Sequence, residues 1–226
     1  MKAITLRVLT AAALAAAGTA HAAAPAQSPE AVTDLFLRTL IQADPAAMKS
    51  LNDYTRPVRV ANKAPGDFIN IPEKLEADKD YAKDLAPVFL QQLKMSDADK
   101  AALEPTVVMF MQSLHDAQKR TVCTTGKAET VTEGVPKKSV AVNVPFECKV
   151  VNPPEKLKAF LQRAAGSNWK TVAQYREAID KLRVGYETAP LTQDWRGALP
   201  LISDKKPVVW QNIFPNESVD ITEALF

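Results

Sequence analysis

The chain has 226 residues, 46% of them hydrophobic, with 28 basic and 26 acidic side chains and two cysteines. That is enough apolar content for one sizeable core or two small ones. The near-neutral balance, without a basic run, gives no electrostatic footprint for nucleic acid.

Lys2 and Arg7 precede the apolar run Val8 to Ala17 and the small-residue stretch Gly18-Thr-Ala-His-Ala22. This order reads as a secretory signal peptide over residues 1–22, cleaved after Ala22. The run is too short to span a membrane. No cysteine precedes Cys123, as a lipoprotein signal would need, and Arg7 stands without a twin. The expected destination is periplasmic or extracellular, with one domain over residues 23–226. The leader holds two basic residues and no acidic one, so the mature chain carries 26 of each and is formally neutral.

Ser28-Pro29-Glu30 starts the first helix, with Ser28 as N-cap and Val32, Leu35, Phe36 and Leu40 at helical spacing. Asp44-Pro45 caps a second, which Tyr54-Thr-Arg-Pro57 should close. Pro72 opens a third, with Leu75, Ala82, Leu85, Phe89 and Leu93 along one side and Pro87 expected to kink or split it. Asp78, Asp80 and Asp84 alternate there with Lys74, Lys79 and Lys83, a pattern that reads as a solvated, salt-bridged face rather than an acid/base pair. Ser96-Asp97-Ala-Asp99 caps a fourth helix, which Pro105 should bend. Val107-Val-Met-Phe-Met111 is apolar on all sides, so the segment from Pro105 to Gln118 is expected to be the most buried helix, with a short strand at Val107 as the alternative.

Cys123 and Cys148 flank the turn-like stretch Glu133-Gly-Val-Pro-Lys137. In an antiparallel hairpin, opposed residues have a constant index sum. For the cysteines this is 271, which centres the hairpin between Val135 and Pro136. The same sum pairs Thr125 with Phe146, Lys127 with Val144, Glu129 with Val142 and Val131 with Val140. Val140, Val142, Val144, Phe146, Cys148 and Val150 alternate as one buried face. Lys127 and Glu129 fall opposite that face, and a bulge near Gly126 would move them. Pro145 lacks a ladder donor and implies an edge strand. The prediction is a disulfide between Cys123 and Cys148 closing the hairpin.

Pro153-Pro154 ends the second strand, and Glu155 to Ala165 reads as a short helix stopped by Gly166-Ser167, which caps the next. Val172, Tyr175, Ile179 and Leu182 mark that amphipathic helix, ended by Gly185. The tail alternates turns with short apolar pieces, Pro207 to Trp210 resembling a strand and Ile213-Phe214 a docking segment.

The mature chain holds a single histidine, His115, which the pattern places at a helix end on the surface. No catalytic residue is assigned: there is no Gly-x-Ser-x-Gly elbow, and bonded cysteines are no nucleophiles. One histidine and two committed cysteines leave no zinc set, and Asp97 and Asp99 lack the glycine and distal glutamate of a calcium loop. No phosphate or dinucleotide fingerprint is present, so no cofactor or metal is expected.

Residues Ala31 to Leu51, AVTDLFLRTLIQADPAAMKSL, resemble the opening of NTF2-like (cystatin-like α+β) proteins, whose first helix often ends in an acidic residue before a short second helix. The resemblance implies helices on a curved sheet and a small apolar ligand between them. It carries no functional residue. The fold expected is helix-rich α+β, with the disulfide-closed hairpin packed on the Pro105–Gln118 helix. The function expected is non-catalytic binding, first of another protein, as inhibitors and toxin-immunity proteins do. A small apolar ligand comes second, and an enzyme using carboxylates third.

Overall fold

A computed structural model describes residues 27–167, 169–206, 208–212 and 219–225. The expected signal peptide and cleavage point, and the expected docking segment Ile213-Phe214, lie outside the described residues. Four helices come first: α1 (Pro29–Leu40), α2 (Pro45–Ala61), α3 (Ile71–Gln91) and α4 (Asp97–Lys119). Their caps follow the sequence. Ser28, Asp44 and Ser96 accept from backbone N–H groups of the first turns, and Asn70 does so for α3, which starts at Ile71, one residue before the predicted Pro72. Three internal prolines do not stop their helices. Pro57 sits inside α2, which continues to Ala61, and Pro87 and Pro105 sit inside continuous α3 and α4. Pro87 and Pro105 are exposed, as are Lys83 and Ala101 one turn earlier. Water can therefore reach the carbonyls that lose a helical donor.

The sheet consists of β1 (Val122–Thr125), β2 (Glu129–Val131), β3 (Ser139–Val151) and β4 (Leu191–Asp204), all antiparallel. Between β3 and β4 run α5 (Leu157–Gly166) and α6 (Val172–Thr188), and a short α7 (Thr222–Leu225) ends the described chain. Thr171, rather than Gly166-Ser167, caps α6, through a capping box with Gln174. Gly185 lies inside α6 and faces Pro154, whose Cδ would stand 3.5 Å from an added Cβ. It answers a packing contact instead of ending the helix.

Cys123 and Cys148 are disulfide-bonded, directly opposed, with Cα atoms 4.0 Å apart. The predicted sum of 271 holds from Cys123–Cys148 to Thr125–Phe146 and then changes. Glu129 pairs with Asn143 and Val131 with Ala141, a sum of 272. The pairings predicted for Lys127, Glu129 and Val131 are thus displaced by one residue. The break falls at Gly126 to Ala128, and a one-residue slip reverses the faces. Thr130 now opposes Val142, and Glu129 turns to the solvent face.

Pro145 is not on an edge. β3 is the central strand, with β1 and β2 on one flank and β4 on the other. The Pro145 carbonyl accepts from the Gly126 N–H at 2.7 Å. In an antiparallel strand a residue's N–H and C=O face the same flank. The missing donor therefore faces the break between β1 and β2, where the ladder is interrupted anyway. The Gly126 Cα comes so close that an added Cβ would lie 2.9 Å from Pro145 Cγ.

β4 corrects the reading of the tail as turns and short pieces. Thirteen of its fourteen residues pair with β3 along its length, Thr192 falling at a register shift. Val208 to Trp210 are not a strand; beyond them a single bridge joins Ile202 to Gln211. Val142, Val144, Phe146, Cys148 and Val150 of β3 and Leu199 and Leu201 of β4 form the buried face. They join one apolar cluster with the helices, which runs from Val32 to Leu225. Tyr186 is fully buried there. Its hydroxyl donates to the Leu225 carbonyl at 2.6 Å and accepts from the Leu157 N–H at 3.0 Å, tying α5, α6 and α7 together. Burial pushes that phenol up to about 12.

Reduction, or a double Cys123→Ser/Cys148→Ser change, should destabilise the fold by up to about 3.5 kcal/mol, the loop-closure value for this separation. Urea unfolding with and without reductant measures it. Gly197→Ala should cost about 1–3 kcal/mol by overpacking, because the added Cβ would lie 2.5 Å from Phe146 Cζ. A thermal scan showing an unchanged midpoint would refute this packing.

Candidate functional site

Two features of the helical layer stand out, one buried and polar, the other exposed and apolar. The first lies between α3 and α4. His115 is 7% exposed and is not a surface residue. Its Nε2 lies 2.6 Å from Asp78 Oδ1, while Lys119, one turn further along α4, donates to Asp78 Oδ2. Tyr81 stacks on the imidazole, with ring centroids 4.1 Å apart. Lys79 and Lys83 do pair with Glu76 and Asp80 on the exposed side, as predicted for this helix face. Asp78 is the exception, turned inward. Its position was legible in one respect: Leu75, Asp78, Ala82 and Leu85 share one helical stripe, so a carboxylate stands at an apolar position.

Burial pushes the His115 pKa below its ordinary value, against the opposing pull of Asp78. Nδ1 is buried and has no partner among the described residues. On a neutral ring it is a bare acceptor; protonation would make it an orphaned donor. Burial raises Asp78, but the hydrogen bonds from Lys119 and His115 outweigh this and hold its carboxyl below the usual value. Among the described residues no hydroxyl or thiol bonds to the imidazole, and no three His, Cys, Asp or Glu side chains gather to hold a metal. The cluster holds α3 to α4. Asp97 and Asp99 likewise serve the helix start, where the Ser96 hydroxyl accepts from the Asp99 N–H at 3.2 Å and donates to its carboxylate at 2.7 Å.

The second feature is the outward side of the same layer. α4 packs against both α3 and α6. Asp78 with His115 and Phe89 with Phe110 set α3 and α4 antiparallel. Ser113 donating to Glu187, and Arg176 donating to the Ala102 carbonyl, set α4 and α6 parallel. This geometry brings Val88, Met109 and Val184 to one height, and they are 54%, 51% and 45% exposed. Pro105 is exposed and Val108 half-buried on the same helix. The expectation that residues 105–118 form the most buried helix therefore holds for Val107, Phe110, Met111, Leu114 and Ala117, and fails at Met109. An open cleft of about 590 Å³ runs along α6 past Ala173, Arg176 and Val184. A second, of about 380 Å³, opens between α1 and α3 at Leu40, Phe68 and Lys74.

The polar cluster predicts a pH dependence. Folded His115 titrates below 6.5, so as pH falls the unfolded chain takes up its proton first. Stability is then complete above pH 6.5 and declines on the acid side. Asp78, lowered from 3.8, adds a further loss at lower pH. Urea midpoints at pH 7.5 and 5.5 should differ in the native protein and differ less in His115→Gln. His115→Ala should cost about 2 kcal/mol, since it leaves Asp78 short of a partner in a buried site.

No protein-family description, curated protein or solved structure matches this chain.

Proposed function

We propose that this is an exported, non-catalytic binding protein that engages another protein through the outward side of α3, α4 and α6. The carrying observation is the exposed alignment of Val88, Met109 and Val184. Scattered apolar residues are normal on a surface; three at one height on adjacent helices, with Val184 also lining the cleft along α6, support the reading of an interaction surface. A methionine at the centre suits it, being flexible enough to fit a partner's relief. The signal-like leader supports a periplasmic or extracellular setting, as does the disulfide.

An apolar-ligand binder would need room between helices and sheet. There Val144, Phe146 and Val150 pack with Phe110 and Phe160 in one cluster, and the two clefts described above lie on the surface. This favours a protein partner.

The test compares native protein with Met109→Asp/Val184→Asp as bait in periplasmic extract. These are exposed positions, so folding stability should shift by no more than about 0.5 kcal/mol per site. The native bait should retain a partner that the variant loses. Equal retention by both, or none by either, would count against the helical face.

A further inference from the structure

We propose that two copies of this chain associate through the outer edge of β4, pairing residues 192–198 antiparallel about Trp195 to make one continuous sheet. The edge is defined by its own hydrogen bonds. Ile202 exchanges both backbone bonds with Gln211, and the Pro200 carbonyl accepts from Asn212 Nδ2 at 2.7 Å. Even-numbered residues of this strand therefore turn their backbone away from β3. Asp194, Arg196 and Ala198 continue that series, and among the described residues nothing is hydrogen-bonded to the edge there. All three side chains are exposed.

An open edge is an invitation to pair, and charges usually blunt it. Here the charges select one register instead. On the solvent face Lys149 contacts Asp194, and Arg196 Nε donates to Glu147 Oε2 at 3.2 Å. Pairing about Trp195 sets Asp194 of each copy against Arg196 of the other. Two rows then cross the joined sheet, Lys149–Asp194–Arg196–Glu147 and its reverse, and charges alternate at every step. Sliding by two residues in either direction, the next register that keeps the outward-facing backbone groups paired, sets Asp194 against itself or Arg196 against itself, which is repulsive. On the opposite face Trp195, packed at 5.1 Å against Phe146, meets its own copy across the two-fold axis. Such a contact is isologous and closes at two subunits.

The test uses charge exchange, read by sedimentation velocity on the exported protein. The native protein should sediment with twice the monomer mass, at a fraction that rises with concentration. Asp194→Arg alone and Arg196→Asp alone should each be monomeric, because like charges then face each other. An equimolar mixture of the two should restore the doubled mass, since each arginine again meets an aspartate. Thermal unfolding of each variant separates loss of pairing from loss of fold. Register is read separately. Thr192→Cys mixed with Ala198→Cys should cross-link under mild oxidation, and neither should do so alone. A native protein that stays monomeric, single variants that remain dimeric, or folded variants whose mixture stays monomeric would overturn the proposal.

Discussion

A central β-strand must satisfy its backbone on both flanks, and β3 has to do so with a proline in its middle. Its 13 residues pair with β4 along one side and with β1 and β2 along the other. Pro145 is tolerated because the flank its missing donor would face is the flank where the neighbouring strand breaks. Gly126 supplies the one hydrogen bond available there, to the Pro145 carbonyl. The break changes the register by one and so decides which side of β2 faces the core. On the N-terminal side of the break the disulfide fixes β1 to β3 covalently, so the register shift cannot be relieved by sliding β1.

The sheet divides the surface into two chemically distinct halves. One face is consumed by the helices and by the aromatic contacts of Phe89 with Phe110 and Phe160, and of Phe110 with Tyr186. The other carries cross-strand ion pairs that are exposed, and exposed pairs add little stability. Their value is in specifying which neighbour fits. Val88, Met109 and Val184 are exposed on the helical layer, while Val122 is exposed on β1. Association through the β4 edge and recognition through the helices would thus use separate surfaces.

Polar groups inside this structure act as fasteners. Asp78, His115 and Lys119 join α3 to α4; Tyr186 joins three C-terminal elements; the Tyr54 hydroxyl accepts from the Trp210 N–H at 2.8 Å and draws the tail onto α2. Each is a long-range contact, with its worth set by burial rather than by chain propensity. The one described histidine and its carboxylate partner join α3 to α4, with the ring 7% exposed.

The residues alone determined what local chemistry controls. Ser28, Asp44 and Ser96 announce helix starts because a side-chain oxygen must meet orphan N–H groups one turn on. The cysteine register was legible because opposed strand residues keep a constant index sum, and β3 because its apolar residues alternate without interruption. β4 was not, although exposure alternates along it as regularly. Gly197 sits where the Phe146 ring needs space and Pro200 where the backbone faces the edge, so two residues that read as turn signals mark packing and an outer flank instead. The central place of β3, the inward turn of Asp78 and His115, and the exposure of Met109 were decided by tertiary structure. Each depends on which remote element lies alongside, and a lone sequence holds no local signal for that neighbour.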